Sequence, residues 1–142
     1  MNTVVFERER LIRFSDCDPA GIVFYPRYFA LFDSCTTGLF SQVLGMSKHK
    51  FIRHYEFAGY PMVDTRARFL KPTKFGDDVT IETKVTAFRR SSFDVQHHLT
   101  FEGELAVECT DTRVWVERHP GDPDKVRAKP IPQDVIAKFS AI

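Results

Sequence analysis

The stretch YPRYFALFDSCTTGLFSQVLG, residues 25–45, decides the architecture that this sequence predicts. Its apolar residues recur every three or four positions, which is the spacing along one face of an α-helix. Pro26 suits the first helical position, where a missing N–H group is tolerated, and Gly45 suits the C-terminal stop. A helix of this extent is roughly 28 Å long at about 1.5 Å per residue. Its buried stripe is predicted to contain Tyr28, Phe32, Cys35, Leu39 and Val43.

Strand-like segments flank this helix on both sides. Residues 4–14 alternate between apolar and charged side chains, which predicts a first strand. Four further strands are predicted after residue 59, in MVDTRARFL, DDVTIETKVTAF, SFDVQHHLTF and LAVECTDTRVWVERH, with a tight hairpin at residues 101–104. The order of strand, long helix and four antiparallel strands predicts an α+β layered domain. The sequence shows neither repeats nor a linker, so residues 1–142 are predicted to form one domain.

Three smaller features complete the predicted fold. In the last strand the apolar residues change from odd positions (Leu105, Val107, Cys109) to even positions (Val114, Val116). This change predicts a bulge near Asp111. The segment HPGDPDK, residues 119–125, is predicted to be a loop. Short helices are predicted within residues 47–57, with Ser47 as the cap, and within residues 132–139.

Composition narrows the class of protein. A net charge of +1, from 20 basic and 19 acidic residues, argues against a nucleic-acid-binding domain. No window approaches the ~20 apolar residues of a membrane span, and the charged N-terminus does not read as a signal peptide. The cysteines at 17, 35 and 109 show neither disulfide nor zinc-site spacing, so a reducing cytoplasm is expected. Fourteen phenylalanines favour a homo-oligomer, with a dimer as the minimal unit and a tetramer expected.

The segment SDCDPAGIVFYPR, residues 15–27, leads into the helix and carries two aspartates. By local pattern alone, such a pair most often belongs to a turn or a cap. The segment resembles the opening motif of the 4-hydroxybenzoyl-CoA thioesterase family, the Asp-dependent branch of the hotdog-fold acyl-CoA thioesterases. GYPMV, DDVTIET and FRRSSF extend the resemblance over most of the chain. The motif positions are Asp16, Asp18, Gly21, Val23, Phe24 and Tyr25.

The resemblance implies a fold and a reaction. The fold is a hotdog, in which a long central helix is wrapped by a curved five-stranded antiparallel sheet. The reaction is hydrolysis of an acyl-CoA thioester, with Asp18 as nucleophile or as general base for water. The Tyr25 N–H at the helix start is the expected oxyanion donor, and Gly21 is expected to leave room for the thioester. Neither a metal nor an organic cofactor is required for this chemistry.

Further residues are assigned to the substrate. Asp33 is either a solvated helix position or, as in the family's aryl-CoA members, an acid that reaches a ring hydroxyl. Arg89 and Arg90 are either a solvated hairpin tip or a clamp on coenzyme A phosphates. Ser91 stands where the family's aryl-CoA enzyme has lysine, so one charge of that clamp is missing. Phe24 is also assigned to substrate binding. Lys71 and Lys74 could add charge from a neighbouring segment or subunit.

Other reactive side chains are interpreted as structural. Asp16 is expected to bond N–H groups of its own turn. His97 and His98 lie on opposite faces of a strand, with no acid–base partner identifiable from sequence. Cys17 has no histidine placed to activate it, and Cys35 falls on the buried helix face.

An aryl-CoA thioesterase, of benzoyl or hydroxybenzoyl type, is the favoured function. A short- or medium-chain aliphatic acyl-CoA thioesterase and a non-catalytic acyl-CoA-binding module are the alternatives. The sequence leaves open the acyl group, the nucleophile or base role of Asp18, and the subunit that supplies the phosphate contacts.

Overall fold

The computed structural model describes residues 3–140. One long helix lies against a five-stranded antiparallel sheet, as the sequence predicts. The strands are β1 (Phe6–Leu11), β2 (Met62–Phe69), β3 (Asp78–Phe88), β4 (Ser92–Phe101), β5 (Glu104–Val114), β6 (Val116–His119) and β7 (Asp122–Ala128), and the helices are α1 (Tyr25–Leu44), α2 (Lys48–His54) and α3 (Gln133–Lys138).

The main sheet has the strand order β1-β3-β4-β5-β2, with every neighbouring pair antiparallel. Alternation positions its core face: the odd-numbered residues of β3 from Val79 to Val85 are buried, while the even-numbered residues between them are more exposed. The β4–β5 turn places Glu102 and Gly103 at φ 51° and 77°, which confirms the tight hairpin. The prediction of one domain over residues 1–142 stays a prediction.

Helix α1 begins and ends where the sequence predicts. Pro26 lies in its first turn, and Gly45 adopts a left-handed φ of 71° while its N–H donates to the Ser41 carbonyl. The predicted stripe is buried except for Val43, which is half-buried at the margin of the core. Ser47 precedes α2 as predicted, but its side chain makes no capping hydrogen bond.

A close contact between β1 and α1 explains a glycine inside the helix. A Cβ atom added at Gly38 would lie 2.5 Å from the Cζ of Phe6, well inside van der Waals contact. The Phe6 ring of β1 therefore packs directly on the α1 backbone, and Gly38 allows the helix to approach the edge of the sheet.

The predicted loop at residues 119–125 is wrong, because Asp122–Ala128 forms β7 and pairs with β6. This hairpin lies outside the main sheet, and β7 has no buried residue. A strand that is exposed on both faces shows no apolar alternation, and Pro123 further weakened the strand signal.

The predicted bulge near Asp111 is also wrong. The β4–β5 register shifts at Ala106, between Leu99 and Thr100 of the partner strand, and not at Asp111. From Val107 onwards the odd positions of β5 continue to face the core, and they include the charged residues Asp111 and Arg113. The apolar pattern breaks at Asp111 and Arg113 because charged residues occupy these two buried positions, and not because the strand has a bulge there.

The direction of α1 along the sheet determines where the site can form. The Val23 N–H, just before α1, donates to the Thr73 carbonyl at 2.8 Å, which brings the helix start to the beginning of β3. The other end of α1 packs near Phe93, at the beginning of β4. Helix α1 therefore runs parallel to β3, from its first residues to its last.

Candidate active site

The turn before α1 folds back on itself as a small hairpin. Cys17 and Val23 form an isolated β-bridge, and the Phe24 N–H donates to the Asp16 carbonyl at 2.8 Å. At the tip, the Asp18 N–H donates to the Ile22 carbonyl at 2.9 Å. These bonds hold both aspartates alongside the residues that begin the helix.

Asp16 is a structural acid, as the sequence predicts. Its buried carboxylate accepts the Arg13 N–H at 2.8 Å and pairs with both terminal nitrogens of the Arg10 guanidinium at 3.1 and 3.3 Å. Burial opposes ionisation of this carboxyl, but the hydrogen bonds from Arg13 and Arg10 outweigh it, so the pKa of Asp16 lies below its usual value. Asp16 is therefore fully engaged in holding the turn to β1.

Asp18 is placed differently from its neighbour. Its side chain is partly exposed at the tip of the turn, and Oδ1 accepts the Ala20 N–H at 2.9 Å. This single local bond orients the carboxylate. Among residues 3–140 no cation pairs with Asp18, so it can act on a ligand.

The first turn of α1 leaves the Tyr25 N–H group free. Phe24 donates to Asp16, Arg27 donates to the Phe24 carbonyl at 2.8 Å, and Pro26 has no N–H. Within the described part of the chain, no acceptor contacts the Tyr25 N–H. Helix N-termini also carry the positive end of the helix dipole. The N–H group that the sequence predicts as oxyanion donor is thus available to a ligand.

Gly21 has a conformational reason to be glycine. Its φ is 84°, in the left-handed region, and its N–H closes the turn by donating to the Asp18 carbonyl at 2.9 Å. A Cβ atom at this position would meet nothing within 4 Å in this chain. The predicted role in leaving room for a thioester stays a prediction.

Aromatic rings cover the helix start. We call Phe24, Tyr25, Phe29 and Phe69 the aromatic cluster; Tyr25 contacts each of the other three edge to face, with ring centroids 5.6 to 6.5 Å apart. Phe24, Tyr25 and Phe69 remain about half exposed. Sequence reasoning missed Phe29 and Phe69 as site residues, and Phe69 has no local signal because it comes from the distant end of β2.

Asp33 lies on α1, two turns after Tyr25, and is half exposed. Its Oδ1 accepts a hydrogen bond from Nη2 of Arg113 at 2.7 Å. The Arg113 side chain is buried, donates to the Tyr60 carbonyl at 3.2 Å, and leaves its Nε without an acceptor among residues 3–140. Asp33 therefore reaches solvent and also has a buried partner, which sequence reasoning missed. Its predicted contact with a ring hydroxyl stays a prediction.

Arg113 connects Asp33 to a buried polar group under the helix. Its Nη2 is also 3.9 Å from Oδ2 of Asp111, which accepts a hydrogen bond from Nε2 of His97 at 3.2 Å. Oγ1 of Thr83 lies 2.8 Å from Nδ1 of His97, and the His97 ring stacks on Phe32. His97 thus has the acid partner that the sequence did not reveal.

Charge in this buried group follows from its environment. Burial lowers the pKa of His97, against the opposing effect of Asp111, so the ring is neutral at pH 7. Burial opposes ionisation of Asp111, but hydrogen bonds from His97 and Thr65 outweigh it and lower the pKa of that carboxyl. His97 is fully buried, so it has no access to a ligand and is structural, as predicted.

The predicted phosphate clamp lies far from Asp18 in the same chain. Arg89, Arg90 and Ser91 follow the end of β3, whereas the Asp18 turn meets the start of that strand. The 11 residues of β3 separate the two places by roughly 36 Å. Arg89 also donates to both carboxylate oxygens of Asp94, at 2.6 and 3.1 Å, which raises the pKa of Arg89.

The two lysines lie at the opposite end of the sheet from this clamp. Lys74 forms a bridge with Ile22, next to the Asp18 turn, and Lys71 pairs with Glu104. Lys71 and Lys74 therefore cannot join Arg89 and Arg90 within one chain.

The cysteines have no nucleophilic environment in the described residues. The Cys17 thiol contacts the Arg13 carbonyl at 3.6 Å, and Cys35 and Cys109 are buried. Burial raises the pKa of Cys35, and raises that of Cys109 to about 12. Over residues 3–140 the structure shows no cluster of potential metal ligands and no helix long and apolar enough to cross a membrane.

Comparison with known proteins agrees with this geometry. A model of the thioesterase-like superfamily matches residues 12–139. The 4-hydroxybenzoyl-CoA thioesterase of Pseudomonas sp. (strain CBS-3) is 30% identical over 133 residues, which cover 90% of this chain and 92% of that protein.

Solved structures extend the similarity to the fold. A mutant 4-hydroxybenzoyl CoA thioesterase complexed with 4-hydroxybenzoyl CoA has a TM-score of 0.87 and 28% identity, covering 96% of this chain and 99% of that one. The BH1999 gentisyl-coenzyme A thioesterase has a TM-score of 0.79 and 28% identity, covering 96% of this chain and 100% of that one.

Fold and site together define a hotdog-fold thioesterase. The chain belongs to the 4-hydroxybenzoyl-CoA thioesterase family within the thioesterase-like superfamily. The predicted family, the predicted fold and the predicted enzyme class, a thioester hydrolase, are confirmed.

The role of Asp16 predicts how stability depends on pH. The variant Asp16→Asn is expected to lose about 1–3 kcal/mol of unfolding free energy at pH 7, because charged hydrogen bonds to Arg10 and Arg13 are weakened. A carboxyl whose folded pKa is lowered stabilises the fold above its unfolded pKa of about 3.9, and this contribution disappears as pH falls through the folded pKa. Urea unfolding at pH 7 and at steps down to pH 3 measures the difference between the two proteins. A difference that stays constant down to pH 3 would contradict the assignment.

Proposed function

We propose that this protein hydrolyses aryl-CoA thioesters whose aromatic ring carries a hydroxyl group, giving the free acid and CoA. The observation that carries the proposal is the placement of the unpaired Asp18 carboxylate and the free Tyr25 N–H in one small hairpin, beside exposed aromatic rings. Relatives with this fold are named for 4-hydroxybenzoyl-CoA and gentisyl-coenzyme A, both hydroxylated aromatic acyl groups.

Thioester hydrolysis needs a nucleophile or base and a donor for the oxyanion. As general base, Asp18 takes a proton from water while the water oxygen bonds to the carbonyl carbon; the C–S bond then breaks and CoA leaves as thiolate. As nucleophile, Asp18 itself bonds to that carbon and expels the thiolate, and water then cleaves the mixed anhydride and restores the carboxylate. In both routes the Tyr25 N–H and the dipole of α1 stabilise the negative oxygen.

The two remaining motif residues support this placement. Gly21 gives the turn its left-handed backbone and adds no side chain between Asp18 and a ligand. Phe24 is half exposed beside Tyr25 and offers a ring edge to an aryl group.

Replacement of Asp18 tests the mechanism. Asp18→Asn removes the charge and basicity but keeps the shape, so kcat for 4-hydroxybenzoyl-CoA is expected to fall at least about 100-fold while the substrate still binds. Release of free thiol measures kcat, and equilibrium binding of the unreacted substrate measures affinity. Cys17→Ser, one residue away, is the matched control and is expected to keep the wild-type rate. An unchanged rate in Asp18→Asn, or a lost rate in Cys17→Ser, would contradict the mechanism.

Substrate choice separates the alternatives. A short- or medium-chain aliphatic acyl-CoA thioesterase would show higher kcat/KM for aliphatic than for aromatic thioesters in the same thiol-release assay. A non-catalytic acyl-CoA-binding module would bind without turnover. The aromatic cluster favours aromatic acyl groups, and a free carboxylate next to an anionic ligand has no use in pure binding.

Asp33 is proposed to accept the ring hydroxyl. Tyr25, Phe29 and Asp33 follow at four-residue spacing, so they lie along one side of α1. Eight residues separate Tyr25 from Asp33, which is about 12 Å along the axis, a span that one benzene ring and two hydrogen bonds of about 3 Å can bridge. The hydrogen bond from buried Arg113 directs the Asp33 side chain, so that its carboxylate can accept a hydrogen bond from a phenolic O–H.

The ratio of kcat/KM for 4-hydroxybenzoyl-CoA to that for benzoyl-CoA tests this contact. Asp33→Asn is expected to lower the ratio about tenfold, because a charged hydrogen bond to the ring hydroxyl is worth about 1.5 kcal/mol or more. Arg113→Met is expected to lower the ratio in the same direction, because Asp33 loses its orienting partner, whereas Arg113→Lys is expected to retain part of it. An equal loss for both substrates in Asp33→Asn would exclude the hydroxyl contact.

Contacts to the CoA phosphates are proposed for Arg89, Arg90 and Ser91. Arg90 is exposed and has no side-chain hydrogen bond or ion pair among residues 3–140, whereas the guanidinium of Arg89 is shared with Asp94. Since these residues lie roughly 36 Å from the Asp18 turn of the same chain, they are proposed to serve the site of another subunit.

A cytoplasmic location is part of the proposal and agrees with three free thiols; cell fractionation checks it.

The proposed minimal unit is a dimer, with a tetramer as the expected assembly. Strand β2 is one edge of the main sheet, and all but one of its eight residues are exposed in the single chain. Met62, Val63 and Phe69 add apolar surface to this edge, next to the aromatic cluster. An exposed edge strand with apolar side chains is a template for pairing with a second copy, which would also enclose the substrate.

Sedimentation analysis at assay concentration tests the assembly. Val63→Glu, which puts a charge on the exposed face of β2, is expected to shift the protein to monomer and to abolish hydrolysis. Val126→Glu introduces the same change at a similarly exposed position of β7 and is expected to leave the assembly intact. A fully active wild-type monomer would contradict the proposed unit.

A further inference from the structure

The buried polar group under α1 contains ionisable side chains that the proposed reaction does not touch. Asp111 and His97 are fully buried, and the nearly buried Arg113 connects them to the half-exposed Asp33 on the helix. A buried carboxylate or guanidinium is costly unless it is paired and hydrogen-bonded. The partner that each of these groups takes therefore decides how Asp33 is held.

Two carboxylates lie near the same nitrogen atom of Arg113. Nη2 is 2.7 Å from Oδ1 of Asp33 and 3.9 Å from Oδ2 of Asp111, so only the first distance is a hydrogen bond. Nη1 donates to the Tyr60 carbonyl at 3.2 Å, and Nε contacts no acceptor within residues 3–140. Nη2 is therefore the group for which the two carboxylates compete.

Elementary electrostatics favours the pairing that the structure does not show. The Asp111 side chain is 1% exposed, whereas that of Asp33 is 54% exposed. Attraction between opposite charges is stronger in the low-dielectric interior, and water solvates an exposed carboxylate. Arg113 nevertheless pairs with Asp33, so the charge of Asp111 has to be satisfied by other donors.

Neighbouring side chains supply those donors to Asp111. Its Oδ1 accepts the Thr65 hydroxyl at 2.7 Å and the Cys109 thiol at 3.4 Å. In the part of the chain that the structure describes, Oδ2 accepts a hydrogen bond from Nε2 of His97 alone, at 3.2 Å. His97 thus occupies the very oxygen that faces Arg113.

The chemistry of the contacts fixes the tautomer of His97. An ionised carboxylate only accepts hydrogen bonds, so Nε2 carries the hydrogen, and Nδ1 of the neutral ring accepts the Thr83 hydroxyl at 2.8 Å. Stacking on Phe32, with ring centroids 4.8 Å apart and an interplanar angle of 12°, holds the ring plane. The single N–H donor of the ring is therefore directed at Asp111.

We propose that His97 is a positioning residue for Asp33, because its hydrogen bond to Asp111 leaves Arg113 free to pair with Asp33. Without that donor, Oδ2 of Asp111 is a buried and unsatisfied charged oxygen, and Nη2 of Arg113 is about 1 Å beyond hydrogen-bond distance from it. The guanidinium then moves to Asp111, and Asp33 loses its buried partner. The consequence for ring-hydroxyl recognition rests on the proposed function, whereas the exchange of partners does not.

Removal of the His97 donor tests the proposal through the ratio of kcat/KM for 4-hydroxybenzoyl-CoA to that for benzoyl-CoA. His97→Leu is expected to lower this ratio about threefold to tenfold, because Asp33 is no longer directed. His97→Gln places an amide N–H where the ring N–H stood, and it is expected to keep the ratio within about twofold. His97→Asn, whose shorter amide reaches Thr83 but not Asp111, is expected to behave like His97→Leu and replaces it if that variant does not fold.

Removal of the competing charge is expected to reverse the effect. Adding Asp111→Asn to His97→Leu should restore the ratio, because a neutral amide no longer draws Arg113 away from Asp33. In an Asp33→Asn background, His97→Leu should lower the ratio no further. Val135→Ala, a buried substitution in α3 outside this polar group, is the control for lost stability and is expected to keep the ratio.

Crystal structures of His97→Leu and His97→Gln separate this inference from the proposed function. Nη2 of Arg113 is expected about 3 Å from Oδ2 of Asp111 in the first variant and in its wild-type place in the second. The proposal is overturned if Arg113 stays bonded to Asp33 in His97→Leu. It is also overturned if wild type prefers the hydroxylated substrate and His97→Leu keeps that preference, or if Asp111→Asn fails to restore it. If Arg113 exchanges partners but wild type has no such preference, the proposed function fails while the positioning role of His97 stands.

Discussion

Burial of one side of α1 against the five-stranded sheet is the constraint from which the rest of this structure follows. The helix has too many apolar residues to be solvated, and the core on both halves of the sheet is built around it. Its contact with β1 is so close that Gly38 lies directly under the Phe6 ring. Once the helix is buried in this direction, its N-terminus must emerge at the beginning of β3, and the preceding turn must reach it there.

That turn divides its two aspartates by what each can contact. Asp16 lies inside, where backbone and guanidinium donors use its carboxylate completely. Asp18 lies two residues later at the tip, with one local bond from Ala20 and access to solvent. The same hairpin uses the Phe24 N–H internally and leaves the Tyr25 N–H free. Two identical side chains thus have different hydrogen-bond partners because only one of them is held within reach of β1.

Charged residues at buried positions account for most of what sequence reasoning did not find. Asp111 and Arg113 occupy inward positions of β5. Asp111 bonds to His97, and Arg113 bonds to Asp33. In the sequence these two residues look like a break in apolar alternation, which predicts a bulge. Their partners lie more than ten residues away along the chain, and a local pattern cannot reveal such partners. Arg8 and Arg10 present the same difficulty on β1, where inward arginines look like an ordinary solvated strand.

The sequence by itself determined the long helix with its start and stop, the five strands of the main sheet and the motif that identifies the family. Each of these depends on local periodicity, on turn residues or on a compact motif in contiguous residues. Only the tertiary structure decided that Phe69 joins Tyr25, that Arg113 holds Asp33, and that Arg89 and Arg90 lie far from Asp18. These are consequences of strand order and register, which bring together residues 44 and 80 positions apart and separate others along the 11 residues of β3. Such long-range pairing is set by packing of the whole sheet, and no short segment encodes it.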